Sequence, residues 1–133
     1  MKIIKTSGYN QVVNLTKNKE KRKSASALHI NVRCVLKELF PRLNIYEEIF
    51  IDGLYLDFFI KELALVIEVD GEQHEKYIHF YHKNAARYQQ AISNDIKKEY
   101  LCEINNFRLI RINHKIAKNK NKIKNFIMEK FNE

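Results

Sequence analysis

The stretch that decides the fold is IYEEIFIDGLYLDFFIKELALVIEVD, residues 45 to 70. It contains three apolar runs rich in β-branched and aromatic residues, a composition typical of strands. The runs are Ile45 to Ile51, Leu54 to Ile60 and Leu63 to Val69. Asp52-Gly53 separates the first two runs, and this dipeptide is the strongest short-range signal of a β-hairpin. The stretch therefore predicts three consecutive strands, the first two joined by a tight turn.

A helix is predicted before these strands. Apolar side chains between residues 28 and 39 recur at three- and four-residue spacing, which is typical of a helix with one face on the core. They are Leu28, Val32, Val35, Leu36 and Leu39. Ser24 or Ser26 offers an N-cap. The helix should stop before Pro41, because the residue preceding a proline disfavours the helical conformation.

A helix, a strand and a further helix are predicted after the three strands. The stretch from about Asn84 to Glu103 is predicted as a helix, because its apolar residues fall on one side. Those residues are Ile92, Ile96, Tyr100 and Ile104. Phe107 to Ile112 is predicted as a last strand. A terminal helix is indicated by Ile116, Ile123, Phe126, Ile127 and Met128. The order of elements predicts a small mixed α/β domain.

Charge divides the chain of 133 residues into three parts. Residues 1 to 23 hold seven Lys or Arg against one Glu, and residues 113 to 133 hold six Lys against two Glu. Residues 24 to 112 hold eleven basic and thirteen acidic residues. We interpret residues 1 to 23 as a basic N-terminal arm, loosely held over 9 to 23. Residues 24 to 133 form the domain, with a core at 24 to 112 and a basic C-terminal helix at 113 to 133.

The two basic ends favour a nucleic-acid partner, since basic segments commonly contact phosphate. An anionic membrane is the rival partner, and plain solubility is the simplest alternative. No membrane span is expected, because the longest purely apolar run is Leu63 to Ile67. Cys34 and Cys102 stand far apart, which argues against a disulfide framework and a thiolate zinc site. A cytoplasmic location is therefore expected.

Three carboxylates interrupt the apolar strands. Asp57 lies within the second strand, and Glu68 and Asp70 lie on one face of the third together with Val66. If Lys61-Glu62 forms a short turn, Asp57 pairs opposite Val66 and Glu68 lies on the diagonal. Carboxylates placed in this way can converge on one hard divalent cation. The alternative is a set of buried carboxylates satisfied by hydrogen bonds or by a Lys or Arg partner.

Other polar residues could complete such a site. His74 follows a turn that Gly71 allows, which suggests a catalytic or phosphate-contacting role, although an isolated His is often a surface residue. Asp95 and Lys98 are three apart on the long predicted helix, where a surface ion pair is the simpler interpretation. His29 flanks the apolar stripe of the first helix, so it could reach the same cleft or merely border the core.

The pattern of Asp57, then Glu68-Val69-Asp70-Gly71-Glu72-Gln73-His74, then Asp95 resembles one branch of the PD-(D/E)XK nucleases. That branch includes very-short-patch repair endonucleases and phage EDxHD homing endonucleases. The resemblance runs from about Ser24 to Ile112. It implies a restriction-endonuclease-like α-β-β-β-α-β core with a mixed sheet. It also implies a metal-dependent DNA endonuclease in which Asp57 and Glu68 hold Mg²⁺, with Mn²⁺ as a substitute. His74 and Asp95 match the branch's His and later Asp.

The sequence departs from the superfamily pattern at two places. Asp70 stands where a Lys usually follows the Glu by two positions, and no Pro precedes Asp57. Lys98, His74 and Gln73 are the candidates to replace the charge of that Lys, and His74 or Asp70 could accept the proton of an attacking water.

The expected activity is hydrolysis of DNA phosphodiesters by an endonuclease encoded by a phage or mobile element. Homing is the first expected role, followed by restriction or repair. The alternative is a non-catalytic nucleic-acid-binding module whose nuclease site has lapsed. Target recognition could involve the basic ends, a homodimer or a partner protein.

Overall fold

The elements described here come from a computed structural model, which describes residues 1–15, 26–71 and 85–133. Six strands and four α-helices lie in those parts of the chain. In chain order they are β1 (Lys2–Ile4), β2 (Asn10–Val12), α1 (Ala27–Leu39), β3 (Ile45–Ile51), β4 (Leu54–Ile60), β5 (Leu65–Asp70), α2 (Ala85–Ile104), β6 (Arg108–Asn113), α3 (His114–Ala117) and α4 (Lys120–Phe131). The mixed α/β class predicted from the sequence is confirmed.

The central sheet has the strand order β3-β4-β5-β6. The first three strands are antiparallel neighbours, as the Asp52-Gly53 turn requires, and β6 runs parallel to β5. A parallel neighbour needs a crossover connection, which α2 provides. Both β3 and β4 have the predicted ends, and Ser26 is the N-cap of α1, accepting a hydrogen bond from the backbone of His29.

The predicted pairing of β4 with β5 is wrong by two residues. Lys61–Leu63 form a turn of 3₁₀-helix, and Ala64 follows it in the left-handed region at φ +47°. The connection is therefore longer than the expected Lys61-Glu62 turn, and β5 begins at Leu65. Phe59 pairs opposite Val66, where Asp57 had been expected.

The C-terminal helix predicted as one element is two helices. Helix α3 ends at Ala117, and α4 begins at Lys120. Asn119 causes the break, because its side chain accepts a hydrogen bond from the backbone of Lys122 and so caps a new helix.

The first fifteen residues form a β-hairpin of β1 and β2 that packs on the sheet. Ile3, Val13 and Leu15 are buried there. Thr6 ties the hairpin to the β3–β4 turn, since its backbone N–H and hydroxyl both donate to Asp52 Oδ2 at 2.8 Å. The prediction of a loosely held arm is therefore wrong for residues 9 to 15, and residues 16 to 25 lie outside the described part of the chain.

Two apolar clusters cover the two faces of the sheet. On one face α1, α3 and α4 pack over side chains such as Phe58 and Ile67, and on the other the hairpin and α2 pack over Val66. The prediction that α2 is a helix is confirmed. Its stripe of Ile92, Ile96 and Tyr100 is exposed, however, and Leu101 and Cys102 are buried instead. The side of α2 that carries Leu101 and Cys102 packs on the sheet, and Lys98 of the same helix lies against Glu68 of β5.

None of the helices in the described ranges is both long and apolar enough to cross a lipid bilayer.

Candidate functional site

Two carboxylates stand where β4 and β5 separate. The ladder between these strands ends at the pair Phe58 and Ile67. Beyond it the backbone N–H of Asp57 donates to Glu68 Oε2 at 2.8 Å, and the backbone N–H of Val69 donates to Asp57 Oδ2 at 2.8 Å. Side-chain oxygens thus replace the backbone acceptors of a continuous ladder. Each carboxylate of this acidic pair, Asp57 and Glu68, is held in place by the opposite strand.

Glu68 is buried at 2% exposure beneath helix α2. The Lys98 ammonium lies 2.5 Å from Glu68 Oε1 as an ion pair. This ammonium reaches Oε1 as a cation, and the backbone N–H of Asp57 donates to Oε2. Burial and then the nearby Asp57 carboxylate raise the pKa of Glu68 to about 8, although Lys98 acts in the opposite direction. The charged form of Glu68 is therefore disfavoured in the folded chain despite the Lys98 ammonium.

The acidic pair fits a hard divalent cation such as Mg²⁺ or Mn²⁺ by its chemistry. Its donors are carboxylate oxygens, which these ions prefer. Glu68 Oε1 is buried and has no hydrogen-bond partner by geometry among the described residues, and in the metal-free chain the Lys98 ammonium at 2.5 Å supplies the positive charge that such a buried oxygen requires. Asp57 and Glu68 therefore remain the residues that would hold the ion implied by the resemblance.

Lys98 is directed at Glu68 and not, as the simpler interpretation had it, at Asp95. Asp95 instead lies 3.6 Å from Arg111 of β6, and Asp70 lies at the same distance from the same guanidinium. Arg111 pairs in register with Glu68, so it projects on the same face of the sheet. Asp57, Glu68 and Lys98 thus come together, while Asp70 and Asp95 meet at Arg111 beside them.

Arg111 was not predicted from the sequence as a site residue. The available signal was a charged residue inside the apolar run of the last predicted strand, which is the same signal that marked Asp57 and Glu68. His74 and Gln73 lie outside the described residues, so their predicted roles have no structural counterpart here.

A second polar network lies under helix α1. Glu47 is buried and accepts hydrogen bonds from Arg33 Nε at 2.9 Å and from His29 Nε2 at 2.8 Å. Burial by itself would raise the pKa of Glu47, but the hydrogen bonds from His29 and Arg33 outweigh it and lower the pKa to about 2. The His29 ring also stacks on Phe58, with 4.3 Å between ring centroids. His29 is consequently held in one orientation.

His29 reaches the site and does more than border the core. A cavity of about 110 Å³ is lined by His29, Glu48 and Asp57, together with Val69 and Gly71. One ligand-competent atom from each of His29, Glu48 and Asp57 lies within 4.8 Å of the other two. Asp57 therefore stands between two groups of polar side chains, Glu68 with Lys98 and His29 with Glu48.

Comparisons with protein-family models, with curated proteins and with solved structures give no match for this chain. The resemblance to PD-(D/E)XK nucleases therefore stays a prediction from the sequence.

Proposed function

We propose that this protein is a Mg²⁺-dependent DNA endonuclease that hydrolyses phosphodiester bonds. The observation that carries the proposal is the position of the Lys98 ammonium, 2.5 Å from Glu68, whose carboxylate also accepts a hydrogen bond from the backbone N–H of Asp57. The nuclease pattern needs two carboxylates and one cationic side chain at the same place. Strand β5 carries Asp70 where that Lys is usual, and helix α2 supplies Lys98, which approaches Glu68 on the face of the sheet that α2 covers.

In this mechanism Asp57 and Glu68 would hold the metal ion. When bound, Mg²⁺ supplies Lewis acidity and lowers the pKa of a coordinated water. Lys98 would stabilise the negative charge that develops on the phosphate, which is an electrostatic role. Asp70 or His74 would accept the water's proton, as the sequence analysis expects. Arg111 positions Asp70 by an ion pair of 3.6 Å.

Lysines near this edge of the sheet support DNA as the partner. Asp70 at the end of β5 pairs with Asn113 at the end of β6, so the following helix α3 starts at the edge that carries the acidic pair. Lys115 and Lys118 are exposed there. Neither forms an ion pair with any residue that the structure describes, and their charges are available to backbone phosphates.

The test is a nicking assay on supercoiled plasmid DNA with the purified full-length chain. We expect nicked product with Mg²⁺ or Mn²⁺ and none with EDTA. Asp57→Asn, purified in parallel, serves as the control for contaminating nuclease, because it removes a proposed metal ligand at nearly constant shape. Nicking that persists in EDTA, or equally in Asp57→Asn, would exclude the proposed activity.

A second expected result concerns the basic edge. Replacing Lys115 and Lys118 by Ala should weaken DNA binding and lower the slope of log K against log salt by up to about two, since each lost phosphate contact removes roughly 0.9. Lys37 and Lys61 are exposed at the opposite end of the sheet, and their double Ala variant is the charge-matched control. Equal slopes for the two double variants would show that the basic edge does not contact DNA.

One observation favours the alternative, a nucleic-acid-binding module without catalysis. The Lys98 ammonium already lies 2.5 Å from the buried Glu68 carboxylate, so a cation other than a metal ion reaches that group. That alternative predicts salt-dependent DNA binding without nicking at any Mg²⁺ concentration. Under the main proposal, the setting is homing of a phage or mobile element within the host cytoplasm, and a homodimer would bring two nicking sites to one duplex.

A further inference from the structure

We propose that His29, Glu48 and Asp57 form a second divalent-cation site, suited to a transition ion such as Co²⁺, Mn²⁺ or Zn²⁺. The evidence is their convergence in one cavity, where one ligand-competent atom of each lies within 4.8 Å of the others. The site shares Asp57 with the proposed nuclease centre, but it does not depend on catalysis.

The buried Glu47 carboxylate holds the His29 ring. Its Nε2 lies 2.8 Å from Glu47 Oε1, and an ionised carboxylate can only accept a hydrogen bond. With Nε2 directed at this carboxylate, Nδ1 is the ring nitrogen that would bind a metal ion. The His29 residue is buried, at 8% exposure. A buried carboxylate that holds one ring nitrogen while the other binds metal is a frequent arrangement in metalloproteins.

The two carboxylates supply the other ligands of the proposed site. Asp57 Oδ2 accepts a hydrogen bond from the backbone N–H of Val69, so Oδ1 is the oxygen that would bind the metal ion. Glu48 sits at φ +54°, a conformation uncommon for residues other than glycine. Atoms separated by at most 4.8 Å can be bridged by one ion at ligand distances of about 2.0–2.2 Å after small movements. The cavity of about 110 Å³ also has room for an ion with water.

The donor set indicates which ion is preferred. Imidazole nitrogen suits zinc and its first-row neighbours, whereas Mg²⁺ prefers oxygen ligands alone. The acidic pair of Asp57 and Glu68 offers only oxygen. The two sites should therefore differ in selectivity, and substitution of His29 should affect transition ions far more than Mg²⁺.

The experiment is a titration of the metal-free full-length chain with Co²⁺, followed by visible absorption and calorimetry, without DNA. We expect His29→Gln and Glu48→Gln each to bind Co²⁺ at least about tenfold more weakly than wild type. Glu62→Gln, on the exposed turn between β4 and β5, is the matched control and should bind like wild type. Mg²⁺ affinity should change less than threefold in His29→Gln, by the selectivity argument.

Unchanged Co²⁺ affinity in either folded variant would overturn the second site. If His29→Gln does not fold, as judged by far-UV circular dichroism, Glu48→Gln decides the question alone, because Glu48 is only partly buried. The plasmid assay separates this inference from the proposed function. A protein that never nicks DNA, yet binds Co²⁺ through His29 and Glu48, would retain the second site and lose the nuclease assignment.

Discussion

Glu68→Gln is expected to lose DNA nicking and, without metal, to be more stable than the wild type at alkaline pH. The first effect follows from the loss of a metal ligand and should leave less than about 1% of the wild-type rate. The second follows from burial, because Gln has nearly the shape of Glu but carries no charge. Few substitutions at a purely structural position would combine these two results.

The sign of the stability effect follows from the pKa. Glu68 has a pKa of about 8 in the folded chain and an ordinary value of 4.5, so the folded state binds the proton more tightly. Between these values the folded state holds more protons than the unfolded state, and wild-type stability must fall as pH rises. The slope contributed by one group is at most about 1.4 kcal/mol per pH unit. The Gln variant lacks this contribution, so the two proteins should diverge above pH 5 and differ most above pH 8.

Urea unfolding of both proteins at pH 5.5 and pH 8.5, with EDTA and with Mg²⁺, measures these effects. At a hundredfold excess over its Kd, Mg²⁺ should stabilise the wild type by about 2.7 kcal/mol, and the variant should lose most of that gain. A structural salt bridge between Glu68 and Lys98 predicts the opposite, since breaking a buried pair costs roughly 3–5 kcal/mol. A variant that is less stable at pH 8.5, with no Mg²⁺ effect on the wild type, would contradict the metal site.

Lys98→Met is expected to lower the nicking rate by roughly a hundredfold to a thousandfold, the usual cost of removing one group that stabilises transition-state charge. Met keeps most of the apolar stem of Lys, which is largely buried against the sheet. DNA affinity should change little, because one partly buried charge contributes little to a binding energy that depends on many phosphates. Initial nicking rates and binding isotherms at one salt concentration give both quantities.

Lys97→Met is the matched control. Lys97 is the preceding residue on α2, and its ammonium donates to the carbonyl oxygen of Asp52 at 2.6 Å, in the β3–β4 turn. This substitution removes the same charge from the same helix but from a different contact. Similar losses of nicking in both variants would mean that Lys98 acts through general helix charge and not on the phosphate.

The fold was predictable where local chemistry decides it. The alternating apolar runs and Asp52-Gly53 define β3 and β4 by themselves, and Ser26 with Pro41 brackets α1. The turn between β4 and β5 was not predictable, because it depends on Ala64 in a left-handed conformation that no glycine or asparagine signals. The expected register of β4 and β5, which assumed a short Lys61-Glu62 turn, was therefore wrong by two residues.

The candidate site was predictable only in its acidic part. A carboxylate that interrupts an apolar run is visible in the sequence alone, and Asp57 and Glu68 were identified in this way. The partners of these residues come from elements distant in sequence, with Lys98 on α2 and Arg111 on β6. His29 looked like a residue at the margin of the core, and its importance arises from Glu47 behind it. Such partnerships depend on packing, which periodicity does not encode.

The topology of the sheet has a kinetic consequence. Strands β3, β4 and β5 are joined by short turns, so they can pair early and at little cost in chain entropy. Strand β6 adds to β5 only after residues 71 to 107 have been closed into a loop. We expect the acidic pair to be assembled before Lys98 and Arg111 reach it, leaving two like charges briefly uncompensated in the nascent sheet. The arrival of Lys98 and Arg111 would then be a late step of folding. The rate of that step would depend on ionic strength, because salt screens the charges involved.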